Sequence, residues 1–427
     1  MTIIRRVHAR EVLDSRGRPT VEAEVFCEGG TFGRASVPSG ASTGSHEAHE
    51  LRDGDPARYH GRGVRQAVAN VRDVLGPALV GCDVTHQAAL DGLLLDADGT
   101  PNKQRLGANA VLAVSLACAH AAAASRGLPL WRYLDTEGRA RLPLPMVNLI
   151  SGGLHAGGNL DLQDFLFLPV GARSCSEALE QTAAVYRCLG EVLRAHGFEG
   201  VLVGDEGGFG PRLHGNEQAL ELILQAFARA GLAAGRDAAV ALDVAASQFH
   251  GGGRYNLRAG GFSALEPGGL VELLCRWVEA YPILSIEDGL AEDDFAGWRL
   301  LTVRLGKRVQ IIGDDLFATN PERLRYGVEN GLANAVLVKM NQIGTLTETL
   351  AVVRQAREAG YRVVLSARSG ETEDTTLADL AVATGAGQIK VGSVARGERL
   401  AKYNQLLRIE EELGAAAFAG WTPVGTT

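Results

Sequence analysis

VQIIGD, residues 309–314, is an apolar run that ends on a carboxylate, and the same pattern recurs on both sides of it. VALDV carries Val240–Asp243, ILSIE ends residues 283–287 on Glu287, AVLVK ends residues 335–339 on Lys339, and QIK ends residues 388–390 on Lys390. A charge that closes a buried strand is costly unless a metal or substrate meets it. Parallel strands of a closed barrel deliver such charges to one end, where they converge. Three acids followed by two lysines describe a divalent cation beside a cationic base. That layout suits removal of a proton from carbon next to a carboxylate.

Amphipathic helical patterns alternate with these runs: GGLVELLCRWVEAY, EDDFAGWRLLTVRLG, NPERLRYGVENG, TLTETLAVVRQAREAG and TTLADLAVATGAG. Strand–helix alternation on this scale predicts one parallel α/β barrel over residues 143–427. Its start differs, with PMVNLI and DFLFLPV followed by two long helical stretches, SEALEQTAAVYRCLGEVLRAHG and NEQALELILQAFARAG. A modified ββαα opening is expected there. Residues 1–140 read as a separate α+β unit, with RLPLPMVN as the boundary. TVEAEVFCEGG and TFGRASVP predict two antiparallel strands around a Gly-Gly turn. LGANAVLAVSLACAHAAAASRG is apolar nearly all round and predicts a buried helix closed by Gly127 and Pro129.

The 427 residues are 46% hydrophobic and 22% charged, an ordinary globular balance. The formal charge of −8 argues against a nucleic-acid or anionic-membrane surface. Six scattered cysteines without a CxxC spacing read as reduced thiols. The N-terminus has no long apolar segment and no run reads as a membrane span, so a soluble cytoplasmic protein is expected. SHEAHE resembles a zinc-protease HExxH, but His49 follows His46 by three residues rather than four. HGGGR and GDEGGFG are glycine-rich yet lack the spacing of a phosphate loop.

Asp243, Glu287 and Asp314 offer only oxygen, which favours Mg²⁺ over zinc. Each alone could equally cap a turn or a helix. Lys339 and Lys390 end apolar runs, where a lysine either snorkels to the barrel rim or has a task. Held together beside Mg²⁺ they would depress each other's pKa, and a neutral lysine can act as base. Glu206, ahead of two glycines, is a candidate general acid; Arg368 and Ser369 offer a guanidinium and a hydroxyl to a phosphate or carboxylate. PSGASTG, residues 38–44, has the composition of a loop that closes over a ligand or of a plain turn.

AREVLDSRGRPTVE, VPSGASTG, VGDEGGF, LDVAAS, SIEDGL, GDDLFATN, KMNQIGTLTE, SGETEDTTLADLA and GQIKVGSVARGERLAKYNQLLRIEEEL together resemble enolase, phosphopyruvate hydratase, over essentially the whole chain. The resemblance implies a modified (β/α)₈ TIM barrel with an N-terminal α+β capping domain, usually in a homodimer. Enolase-superfamily sites pair a Lys or His base with one or two Mg²⁺ ions, so that pairing comes with the resemblance. It implies that Asp243, Glu287 and Asp314 hold a first Mg²⁺, and that Ser42 helps to bind a second with the substrate phosphate. Lys339 would take the C2 proton, Lys390 would stabilise the resulting charge, and Glu206 would protonate the departing C3 hydroxyl. Arg368 and Ser369 would hold the phosphate, with His155 and Gln163 lining the pocket.

Three positions depart from the family pattern. SHRSGE reads SARSGE, so Ala367 replaces a histidine; Gln-Glu reads Gln163-Asp164; and Val391 stands where threonine is usual. Ala367 and Asp164 belong to the side that handles the leaving group. Loss of a positioned acid–base group costs about 10²–10⁴-fold. The expected activity is therefore a specialised enolase-type lyase acting on 2-phosphoglycerate or a phosphonylated relative. Enolase-like enzymes of phosphonate and phosphinate biosynthesis, such as carboxyphosphonoenolpyruvate synthase, are an example. Housekeeping enolase and a non-catalytic binding protein on the same scaffold are the alternatives.

Overall fold

The computed structural model describes residues 2–41, 44–259 and 261–425. Three antiparallel strands open the chain in the order β1 (Ile4–Leu13), β2 (Pro19–Cys27) and β3 (Phe32–Ser36). The expected pair is β2 and β3, joined through a Glu28–Gly30 turn in which Gly29 and Gly30 take positive φ. β1 is an addition. Its charged residues hid it, because Arg6, His8 and Arg10 alternate with the buried Val7 and Ala9.

The Ala-rich stretch forms the helix Ala108–Ser125, packed on this sheet. A Cβ on Gly33 would lie 2.2 Å from the Ala117 carbonyl oxygen, so only glycine permits this approach. By length and composition this helix could cross a membrane, contrary to the expectation that no run qualifies. Its window is 83% buried inside the fold, which accounts for its apolar character as core packing.

The second unit is a closed eight-stranded barrel. β4 (Leu144–Ser151) and β5 (Asp164–Leu168) pair antiparallel, and β5 pairs antiparallel with β6 (Ala239–Asp243). Helices Cys175–Ala195 and Asn216–Arg229 lie between β5 and β6, which is the ββαα opening. Ser174 caps the first of them by accepting from the Glu177 amide at 3.0 Å. A small sheet of β7 (His250–Gly251), β8 (Arg254–Leu257) and β9 (Phe262–Leu265) follows β6. Parallel repeats then supply β10 (Ile283–Glu287), β11 (Gln310–Gly313), β12 (Ala335–Val338), β13 (Arg362–Ser366) and β14 (Gly387–Gly392). β14 closes the barrel against β4.

Leu144, Met146, Leu166, Leu168, Ile312, Leu337 and Val364 fill the barrel interior around the small Ala239 and Ala241. Asp243 and Glu287 end their strands as expected. Asp314 and Lys339 fall one residue beyond β11 and β12, and β14 continues two residues past Lys390.

Candidate active site

Register explains why the charges meet. Asp164 pairs with Asp243 across β5 and β6, and Asp243 with Glu287 across β6 and β10, so three carboxylates stand level at one rim. Lys390 stands level with Ser366 on β13. Its Nζ donates to Asp243 Oδ2 at 2.7 Å and to both Glu287 oxygens at 2.8 Å. Lys339 Nζ donates to Asp314 Oδ2, while Gln342 Nε2 donates to Asp314 Oδ1 at 3.1 Å. Gln163 Nε2 holds Asp243 Oδ2 at 3.1 Å.

Burial pushes the Lys390 ammonium towards neutrality, but Asp243 and Glu287 outweigh it and hold its pKa well above the ordinary lysine range. Burial likewise lowers Lys339, yet Asp314 more than offsets that and raises it. Lys390 lowers Lys339 as expected, but the carboxylates outweigh that repulsion.

His155, Asp164 and Glu206 form a second cluster, and Ala367 follows β13 with its amide donating to the Lys390 carbonyl at 2.9 Å. His155 Nδ1 is 3.0 Å from Asp164 Oδ2 and its Nε2 is 3.8 Å from Glu206 Oε1. Burial lowers the imidazole, but Asp164 and Glu206 raise it further, to about 9. His155, Gln163, Glu206, Ala367, Arg368 and Ser369 all line the cavity with Asp243, Asp314, Lys339 and Lys390. Asp164 and Glu287 do not line it; both are buried behind the side chains they hold. Asp164, expected among the substrate-binding residues, holds His155 and Asn148 through its two carboxylate oxygens. Its side chain is one methylene shorter than the family's glutamate.

Arg368 is 4% exposed and donates to Glu47 at 2.9 and 3.2 Å and to Asn341 at 3.1 Å. Ser369 accepts from Arg16 Nη1 at 3.0 Å, and Arg399 holds the Arg368 and Ser369 carbonyls at 2.6 and 2.7 Å. Ser42 lies outside the described residues.

Residues 4–134 match "Enolase, N-terminal domain", and residues 139–424 match "Enolase, C-terminal TIM barrel domain". The chain belongs to the enolase family.

Its donor set fits the divalent cation that enolases typically bind. Asp288, Asp314 and Asp315 place carboxylate oxygens within 4.8 Å of one another, so of the expected Asp243, Glu287 and Asp314 set this cluster contains Asp314 alone. Burial, then Asp314, pushes the Asp315 carboxyl up to about 7. Burial, then Asp243, raises Glu287 well above the carboxylate range. Such a surplus of buried acid oxygen is what a hard dication relieves. Several enolase residues were not evident from sequence. Glu47 sits inside SHEAHE, which fails as a zinc motif, although it follows PSGASTG by only three residues. Arg16, Asn341, Gln342 and Arg399 lie in recognised motifs, but nothing in their spacing shows what they would hold.

Proposed function

We propose that this protein is a Mg²⁺-dependent lyase that removes the C2 proton of a small phosphorylated or phosphonylated carboxylate and expels a group from C3. The observation that carries this reading is one cavity lined by two lysines, an imidazole and the Glu206 carboxylate. Lys339, after releasing its ammonium proton to solvent, takes the C2 proton as general base. Lys390 faces the developing charge, and Arg368 with Ser369 orients the phosphorus group. Asp243, Glu287 and Asp314 would hold one Mg²⁺ and Ser42 would contribute to a second. Bound Mg²⁺ would screen the negative charge that accumulates on the substrate carboxylate.

Ala367 favours a specialised substrate. It is 7% exposed and lines the cavity, so a methyl group stands where the family has an imidazole. That exchange opens space beside the leaving group or phosphorus for a bulkier substituent. Housekeeping turnover of 2-phosphoglycerate is the second reading, favoured by the intact lysines and acids. The reading includes a homodimer, which sedimentation would test.

Phosphoenolpyruvate absorbance after mixing protein, Mg²⁺ and 2-phosphoglycerate separates the readings. Slow turnover supports specialisation, and rapid turnover supports the housekeeping role. Failure to bind Mg²⁺ together with no exchange of the C2 hydrogen would overturn both and leave a binding protein.

A further inference from the structure

His155 stands between two acids, one at each ring nitrogen. The three side chains place ligand atoms within 4.8 Å of one another, a spacing compatible with a metal ion. Yet Nδ1 faces Asp164 and Nε2 faces Glu206, so the ring's two nitrogens do not converge on one point. An imidazole bridging two carboxylates is built to carry protons. Asp164 has 0% exposure, and Asn148 Nδ2 fixes its other oxygen. It is absent from the cavity wall, whereas His155 and Glu206 are on it. The hydrogen bond by which Asp164 reaches the cavity lining is the one to His155. Ala367 leaves His155 as the only histidine among the described residues lining this cavity.

We propose that Asp164 is a positioning residue acting through His155, and that His155 stores the proton delivered by way of Glu206 to the departing oxygen. This rests on the elimination proposed above and assigns its second proton. The C3–O bond breaks with its electron pair going to oxygen. Glu206 passes a proton to that oxygen and receives one from His155 Nε2, after rotation of its carboxyl closes the 3.8 Å gap. Glu206 thus ends ionised as it began, His155 recovers a proton from solvent, and Lys339 releases the one it took from C2. The substrate loses the elements of water when the departing group is hydroxide.

The surroundings place the resting proton accordingly. Asp164 faces the imidazole from β5, Glu206 from the 203–209 segment and Asp243 from β6. Burial raises Glu206, but His155, Arg399, Lys390 and Lys339 together bring its carboxyl below the ordinary value. The imidazole therefore holds the proton at neutral pH and Glu206 is the carboxylate. A general acid read from sequence at Glu206 becomes a conduit.

The test uses the full chain labelled with ¹⁵N-histidine, with Asp164→Asn and Asp164→Glu variants whose folding is checked by circular dichroism. Native His155 should titrate near 9. Asp164→Asn should return it towards the ordinary imidazole range, while Asp164→Glu keeps it raised. With 2-phosphoglycerate, Mg²⁺ and D₂O, Asp164→Asn should lose elimination by about 10²-fold and retain exchange of the C2 hydrogen. Asp164→Glu should restore elimination. An unshifted His155 in folded Asp164→Asn overturns the proposal, as does an equal fall of exchange and elimination. Absence of C2 exchange in the native chain counts against the lyase reading instead, and the imidazole titration still decides the relay.

Discussion

The two walls of the barrel mouth are built from different architecture. Lys339, Lys390, Glu287 and Asp314 come from the regular parallel repeats, and each contacts an opposite charge directly. His155, Asp164 and Glu206 come from the irregular opening, around the antiparallel β4 and β5. The three departures fall on both sides: Asp164 beside His155, Ala367 with its amide on the Lys390 carbonyl, and Val391 next to Lys390. On the proposed reading, proton abstraction depends on lysines set by strand register, and handling of the leaving group on side chains around the antiparallel opening.

The sharpest way to break this contrast is Lys339→Ala. It should lower both C2 exchange and elimination by about 10²–10⁴-fold, measured by deuterium incorporation and phosphoenolpyruvate absorbance. Unchanged exchange would move the base elsewhere and dissolve the division between walls.

The second wall should also show itself in stability. His155 is raised in the folded chain to about 9 against an unfolded value of about 6.5. Its contribution is therefore fully present below about pH 6.5 and is lost as pH rises through about 9. The loss should be about 3 kcal/mol, read by urea unfolding in EDTA. Asp164→Asn should flatten that slope. Asp315, raised to about 7, acts in a lower window and should persist in the variant.

On the first wall, Gln342→Ala should weaken Mg²⁺ binding by about 10–100-fold in calorimetry, because Gln342 orients Asp314. Equal affinity would show that Asp314 needs no such support. The smallest effect is a gain: Ala367→His with Asp164→Glu should raise 2-phosphoglycerate turnover by about tenfold. No gain would mean that the second wall has adapted as a whole.

The same division marks what could be read in the amino-acid order. Asp243, Glu287, Lys339 and Lys390 announced themselves because a charge closing a buried apolar run demands an opposite charge, a metal or a ligand. The ββαα opening was legible from PMVNLI and DFLFLPV ahead of two long amphipathic stretches. β1 was not, because charged residues at Arg6, His8 and Arg10 mask its alternation. Asp164 was legible at the start of β5, but its contacts were not, since Asn148 and His155 lie on other elements. Glu47 pairs with a residue 321 positions away, and no local pattern encodes that. How far carboxylates outweigh the mutual repulsion of the lysines was not legible, because spacing along the chain cannot rank charge separations in space.

That long-range pair has a consequence for how any anion arrives. Arg368 already has a counterion, supplied by the N-terminal unit through Glu47. On the proposed function, an incoming phosphorus group would compete with this tethered carboxylate for the guanidinium. Loading the pocket then pushes on the segment that carries Glu47, and ligand affinity becomes a measure of how firmly the two units are stitched together.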